Sequence, residues 1–368
     1  MSKSLYRAEL ASFKPYVQGK PIEAVQREYG LTRIEKLASN ENQYGPSPKA
    51  LEAIQAELSG LNFYPESYPP ELVQAMADYL GAGADQITLG NGGEGIIWQI
   101  SMAFLNAGDE IIVSDPTFDV YKISAALLGG VTVKVPLKDR HYDIDGILGK
   151  LSPRTKLVYL CTPNNPTGHI ATKPEIDRLL SRLPDDVILV LDEAYYEFAA
   201  ASPEYPADSI ALLKTRPNII VLRSFSKIYG LAGLRFGYAL SSPEIAVRLG
   251  MVRQTFAVNR LAHAAARGAL EDTEYRDRVV KENSAALKRL NEYFDANGWA
   301  CFPSYANFVF VDTGLDSRDV FEELQKRGVI VRPGHLWGWD TWLRVSTGTE
   351  EQMRFFTEKM DEVISALT

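Results

Sequence analysis

The sequence predicts an α/β protein: a large domain on a mostly parallel sheet, followed by a smaller α+β domain. Three observations carry this. Short apolar, β-branched runs recur through the middle of the chain, with segments of helical period between them. The last third changes to long amphipathic helix interrupted by brief strands. The length of 368 residues exceeds the usual size of one domain. Strands that alternate with helices pair in parallel and are covered on both faces.

Residues 1–48 form an N-terminal segment expected to pack with the smaller domain. The large domain spans 49–243, with strands predicted at 87–89, 110–114, 131–135, 156–161, 187–191, 218–222 and 236–240. Ile96, Ile97, Ile100 and Phe104 mark one intervening helix. Ile176, Leu179 and Leu180 mark another, opened by the capping pair Thr172 and Glu175. The smaller domain, 244–368, reads as mostly long helix over 244–298, then strands at 308–312, 329–332 and 342–346 around a helix at 320–326. The final helix opens on the pair Thr349 and Gln352 and buries Met353, Phe356, Met360, Val363 and Ile364.

Composition narrows the function. Hydrophobic residues make up 46% and charged residues 23%, as in an ordinary soluble globule. No apolar run is long enough to span a membrane, and the first residues lack a signal-peptide core. The two cysteines, Cys161 and Cys301, are far apart, which fits a reducing cytoplasm rather than a disulfide framework. A net charge of −8 without a basic block argues against nucleic acid. Four scattered histidines give no zinc spacing, so no metal is expected.

The chemistry centres on Lys227, just past the strand 218–222, with Ser224 and Ser226 before it and Arg235 after it. An amine there can form a Schiff base with a carbonyl, while hydroxyls and a guanidinium hold a phosphate. That combination points to pyridoxal phosphate; alone, such a lysine reads more simply as a loop residue. Asp192 closes a buried strand, where a carboxylate can pair with a pyridinium nitrogen. Tyr195 follows within reach of a ring hydroxyl. The rigid turn 162–168 fixes the amide of Asn165. Phe118 lies after a strand end, placed to stack on a flat cofactor. Gly90-Asn91-Gly92-Gly93-Glu94-Gly95 opens a helix after a strand, an anion-binding arrangement. It also fits G-x-G-x-x-G, with Asp115 downstream, so a dinucleotide oxidoreductase is the rival. That rival leaves Lys227 and Asp192 without roles. Arg332 and Arg344 offer two forks for carboxylate or phosphate.

Together these motifs, in this order from Gly90 to Tyr238, resemble the fold type I pyridoxal-phosphate aminotransferases. Residues 14–21, 36–48, 62–65 and 304–308 resemble the histidinol-phosphate aminotransferase subfamily in particular. The resemblance implies that Lys227 is the Schiff-base lysine and proton carrier. It implies that Asp192 pairs with the ring nitrogen, Asn165 and Tyr195 with the ring hydroxyl, and that Phe118 stacks on the ring. Gly93 and Glu94 (through backbone N–H), Ser224 and Arg235 would hold the phosphate. Tyr64 would reach the neighbouring subunit's cofactor, so a homodimer is implied. Arg344 would bind a substrate carboxylate; Tyr16, Asn40 and Arg332 would line the side-chain pocket, Arg332 near a substrate phosphate. The implied reaction passes the amino group of L-histidinol phosphate to 2-oxoglutarate. Gln43, Gly93-Glu94-Gly95 and Thr255 depart from the subfamily's usual residues. Trp337, Trp339 and Trp342, between the two arginines, raise an aromatic amino acid aminotransferase as the alternative. An amino-acid phosphate decarboxylase is more distant, because Arg344 would hold the bond such an enzyme must break. A non-catalytic regulator lacks a DNA-binding appendage.

Overall fold

The computed structural model describes residues 5–11 and 19–368. Its strands in chain order are β1 (Glu35–Lys36), β2 (Ile87–Asn91), β3 (Glu110–Asp115), β4 (Val131–Pro136), β5 (Thr155–Cys161), β6 (Ile188–Asp192), β7 (Ile219–Ser224), β8 (Phe236–Ser241), β9 (Ala300–Cys301), β10 (Phe308–Asp312), β11 (Val329–Ile330), β12 (Arg332–Pro333) and β13 (Trp342–Ser346). Seven form one sheet in the order β2-β8-β7-β6-β5-β3-β4. Only β8 runs against its neighbours, because a short connection returns the chain beside β7. All seven predicted strands are present, each within about two residues of its expected ends.

Successive residues along each central strand enter opposite cores. Leu189 and Leu191 of β6 join one apolar cluster and Val190 joins the other; Ile219 and Val221 of β7 part from Ile220 and Leu222 in the same way. This two-unit period, with both faces apolar, is why these runs fold as buried strands. The helix Gly92–Phe104 covers one face with Ile96, Ile97 and Ile100. The helix Lys173–Arg182 covers the other with Ile176, Leu179 and Leu180. Thr172 opens it as expected, its backbone N–H donating to Glu175 at 2.7 Å.

The C-terminal sheet has the order β12-β13-β10-β9, all antiparallel. Val309, Val311, Leu343 and Val345 meet Val320 and Leu324 of one helix and Met353, Phe356, Met360 and Val363 of the last. The strand predicted at 329–332 divides. β11 pairs in parallel with β1 of the N-terminal segment, and β12 pairs with β13. The N-terminal segment captures the first half of that run.

The helix predicted over 244–298 is three helices, Pro243–Val252, Arg260–Leu270 and Thr273–Ala296. Asn259 and Asp272 restart the helix, their side chains accepting from the N–H groups of Ala262 and Tyr275. The first two pack on the large sheet: Leu249 joins one of its cores, and Ala262, Ala265, Ala266 and Ala269 the other. The third spans both units, with Tyr275 and Val279 in the large core and Leu290 and Phe294 in the small one.

Candidate active site

β2, β3, β5, β6 and β7 all end at one edge of the large sheet, and antiparallel β8 begins there. Each predicted cofactor-binding residue of the large domain except Tyr64 sits on one of these ends, or in the loop or first helical turn next to it. They border a cavity of about 420 Å³, closed on its other side by the N-terminal segment and the C-terminal sheet.

Lys227 lies in the loop between β7 and β8 and reaches into this cavity. Its Nζ donates to the Ser39 carbonyl at 3.1 Å and stands 5.7 Å from the Tyr195 ring. Burial, and secondarily the Arg344 guanidinium, lowers its pKa to about 8. An amine so poised is neutral often enough near pH 8 to act as nucleophile and base.

Asp192, at the end of β6, is 3% exposed and lines the cavity. Burial raises its pKa to about 6, against two hydrogen bonds that favour the charged form. One comes from the Ala194 N–H at 3.1 Å. The other comes from the Tyr121 hydroxyl at 2.5 Å. Tyr121 is fully buried and stacked on Tyr159 at 4.4 Å. Sequence reasoning missed it. The available signal is its spacing of three from Phe118, which lines the same cavity and meets Tyr121 edge-on.

The turn after β5 divides the labour of its two asparagines. Asn164 is consumed by the turn, donating to Pro116 and Thr167 and accepting from Thr117. Asn165 faces the cavity, and its Oδ1 accepts from Arg344. Arg344 also donates to the Ala38 carbonyl at 2.5 Å. Tyr195 is buried, and desolvation holds its hydroxyl well above the usual tyrosine range, so it stays protonated. Its oxygen accepts from the Asn40 amide at 2.8 Å.

At the glycine turn, Gly92 has φ of +73°, and a Cβ there would meet the Arg235 guanidinium at 2.6 Å. A Cβ on Gly237 would stand 2.4 Å from the Gly92 carbonyl carbon. The two glycines let β8 and the first turn of helix Gly92–Phe104 touch backbone to backbone. Gly93 and Glu94 therefore border the cavity beside Ser224 and Arg235. Free N–H groups at a helix start, a hydroxyl and a guanidinium form a set suited to phosphate.

Arg332 and Arg344 face each other across β12 and β13. Both are buried, at 6% and 5% exposed, and both line the cavity. The three tryptophans do not line it. Trp342 belongs to a cluster with Phe302 and Phe310, against which Trp337 and Trp339 pack. Trp337 also lies 5.5 Å from the Arg344 guanidinium. Tyr64 is 79% exposed, stacked on Phe256 at 4.5 Å, and does not border this chain's own cavity. Tyr16 lies outside the described residues. The cavity also takes in Ser226, whose hydroxyl the sequence reading grouped with Ser224 at the phosphate, and Ser39, Glu41 and Cys161, which it did not assign. Among the described residues no His, Cys, Asp and Glu cluster could hold a metal ion, and no helix is long and apolar enough to cross a membrane.

The cavity brings a part-buried amine of lowered pKa, a buried carboxylate and a set of groups suited to phosphate to one sheet edge, and residues 32–360 match the aminotransferase class I and II family. The chain belongs to that family and is an aminotransferase. Over 360 residues it is 43% identical to histidinol-phosphate aminotransferase of Moorella thermoacetica, covering 98% of this chain and 93% of that one. It is also 43% identical to histidinol-phosphate aminotransferase 2 of Carboxydothermus hydrogenoformans, over 99% of this chain and all of the relative. Among solved structures, histidinol-phosphate aminotransferase from Sinorhizobium meliloti, in complex with pyridoxal-5'-phosphate, superimposes with a TM-score of 0.91 at 32% identity, covering 100% of this chain and 99% of that one.

Proposed function

We propose that this aminotransferase moves the amino group of L-histidinol phosphate to 2-oxoglutarate, giving imidazole acetol phosphate and L-glutamate. The observation that carries this reading is the pair of buried guanidinium groups, Arg332 and Arg344, side by side in the cavity that holds Lys227. Two forks suit a doubly charged phosphate on one substrate and the carboxylates of the other. The names of the relatives point to the same substrate. The tryptophans stand outside the cavity lining, which disfavours the aromatic amino acid reading.

The cofactor is pyridoxal 5'-phosphate, and the donor set of the cavity fits it. When bound, it supplies an electron sink for the substrate's α-carbon. Asp192 would hold the ring nitrogen in its protonated form. Asn165 and Tyr195 would donate to the ring hydroxyl oxygen, and Phe118 would cover the ring. The Gly93 and Glu94 N–H groups, Ser224 and Arg235 would hold the phosphate. Lys227 would anchor the cofactor covalently through Nζ. Once displaced by the incoming amine, it would take the α-proton and return it on the cofactor side. Arg344 would orient the carboxylate of glutamate or 2-oxoglutarate. Arg332, with Asn40 in the lining of the same cavity, would receive the imidazole phosphate end.

We further propose a homodimer in which Tyr64 completes the partner's phosphate site. Tyr64 and Phe63 are exposed apolar residues. A groove bordered by Trp98 and Met102 shares Glu94 and Arg235 with the lining of the cavity. A cytoplasmic setting suits the two free cysteines.

The test compares half-reactions, followed by the cofactor's absorbance, with histidinol phosphate and with phenylalanine. Histidinol phosphate is expected to react faster, and Arg332→Ala to weaken it far more than phenylalanine. Faster reaction with phenylalanine, or equal losses for both, overturns the substrate reading.

A further inference from the structure

Asn40 sits far from the cofactor-binding loops in sequence, yet it connects three parts of the chain at the cavity wall. It is 1% exposed and holds a left-handed backbone conformation, φ +56°, uncommon for a non-glycine residue. Its backbone N–H donates to the Ser346 hydroxyl oxygen at 2.9 Å. With that oxygen occupied as acceptor, the Ser346 O–H donates to Asn40 Oδ1 at 3.0 Å. The carbonyl side of the amide therefore faces Ser346, and Nδ2 faces the Tyr195 oxygen, which accepts at 2.8 Å. Asn307 holds the Asn40 carbonyl at 3.0 Å, and Phe308 packs edge-on to Tyr195 at 5.3 Å. Every polar atom of Asn40 is thereby committed.

A phenol O–H prefers the plane of its ring and so has two directions to choose from. In Tyr195 the Asn40 amide occupies one of them. The proton is left the other direction, and Tyr195 borders the cavity. We infer that Asn40, oriented by Ser346, is a positioning residue that fixes the Tyr195 hydroxyl as a donor to the ring oxygen of the bound cofactor. This rests on the placement of Tyr195 beside that oxygen proposed above. It gives Asn40 a task other than contact with the substrate side chain. It also ties the hydroxyl to β13, the strand that carries Arg344, through Ser346.

A donor to the ring oxygen weakens that oxygen's hold on the proton of the neighbouring lysine–cofactor linkage. The pH midpoint of the holoenzyme's visible absorbance reports it without any turnover. Tyr195→Phe is expected to raise the midpoint by about one pH unit, equal to about 1.4 kcal/mol. Asn40→Asp supplies an acceptor that turns the hydroxyl away and is expected to raise it by a similar amount. In the Tyr195→Phe background Asn40→Asp is expected to add little, since no hydroxyl is left to turn. A direct effect of the new charge would persist in both backgrounds; additive shifts therefore overturn the inference. No shift in Tyr195→Phe alone overturns the placement of Tyr195, and the inference with it. Ser346→Ala keeps the comparison available if Asn40→Asp does not fold. It frees the amide to flip and is expected to raise the midpoint only when Tyr195 is present; an equal shift in its absence, or none in either background, counts against the inference.

Discussion

Replacing Tyr121 by Phe removes one oxygen from the buried pair that sets the charge of Asp192. The tyrosine hydroxyl donates at 2.5 Å to a carboxylate whose pKa burial has already raised to about 6. A hydrogen bond to a charged group contributes about 1.5–3 kcal/mol, or roughly one to two pH units. Without it the carboxylate is expected to titrate at about 7 or above. At pH 7 the charged fraction of Asp192 then falls from about nine-tenths to about half or less. The sign follows from the raised value. A carboxyl whose pKa is higher in the fold adds stability to the apoprotein only at low pH, and this is lost as pH rises through the folded value. Tyr121→Phe should move that loss upward and make the apoprotein less stable at pH 8 relative to pH 5. In the holoenzyme a less reliably charged partner for the ring nitrogen should lower kcat with little change in KM. The assays are apoprotein unfolding across pH 5–8 and steady-state rates over the same range. An unfolding profile and a kcat both unchanged by Tyr121→Phe would refute the assignment of the hydrogen bond.

Further outcomes follow from the geometry. Lys227→Ala should abolish turnover and covalent trapping of cofactor by borohydride while the phosphate cradle still binds it; retained turnover would remove Lys227 from the chemistry. Because Lys227 titrates near 8 rather than at the ordinary 10.5, covalent capture of cofactor by the apoprotein should accelerate as pH rises through about 8. Between those values the unfolded chain binds more protons, so this group also adds apoprotein stability as pH rises and withdraws it as pH falls to 8. Arg344→Leu removes the second cause of the lowering and should move the capture midpoint upward, and an unmoved midpoint would contradict it. Gly237→Ala puts a Cβ 2.4 Å from the Gly92 backbone, where no side chain can yield, and should weaken cofactor binding at least tenfold, about 1.4 kcal/mol. Unchanged affinity would show that the glycine turn tolerates displacement.

The information legible in the residues alone is local and periodic. Apolar β-branched runs specified the seven strands of the large sheet, since a fully buried strand leaves that pattern whatever its neighbours. Lys227, Asp192, Asn165 and Phe118 were legible because each follows such a run closely, and parallel strands bring their ends to one edge. Tertiary structure decided what depends on contacts remote in sequence. β11 and β12 separate because the N-terminal segment pairs with the first of them, which no period in 329–332 records. The long helical stretch after 243 packs largely on the first sheet, because helix amphipathicity says which face is buried but not against what. Tyr121 acquires a role only when β6 sets Asp192 beside it, and Asn40 only when β13 brings Ser346 to its amide. Position along the strand settled the tryptophans too: Trp342 shares a face of β13 with Arg344 but lies two residues away, in a core with Phe302 and Phe310, while Arg344 and Arg332 border the cavity that holds Lys227.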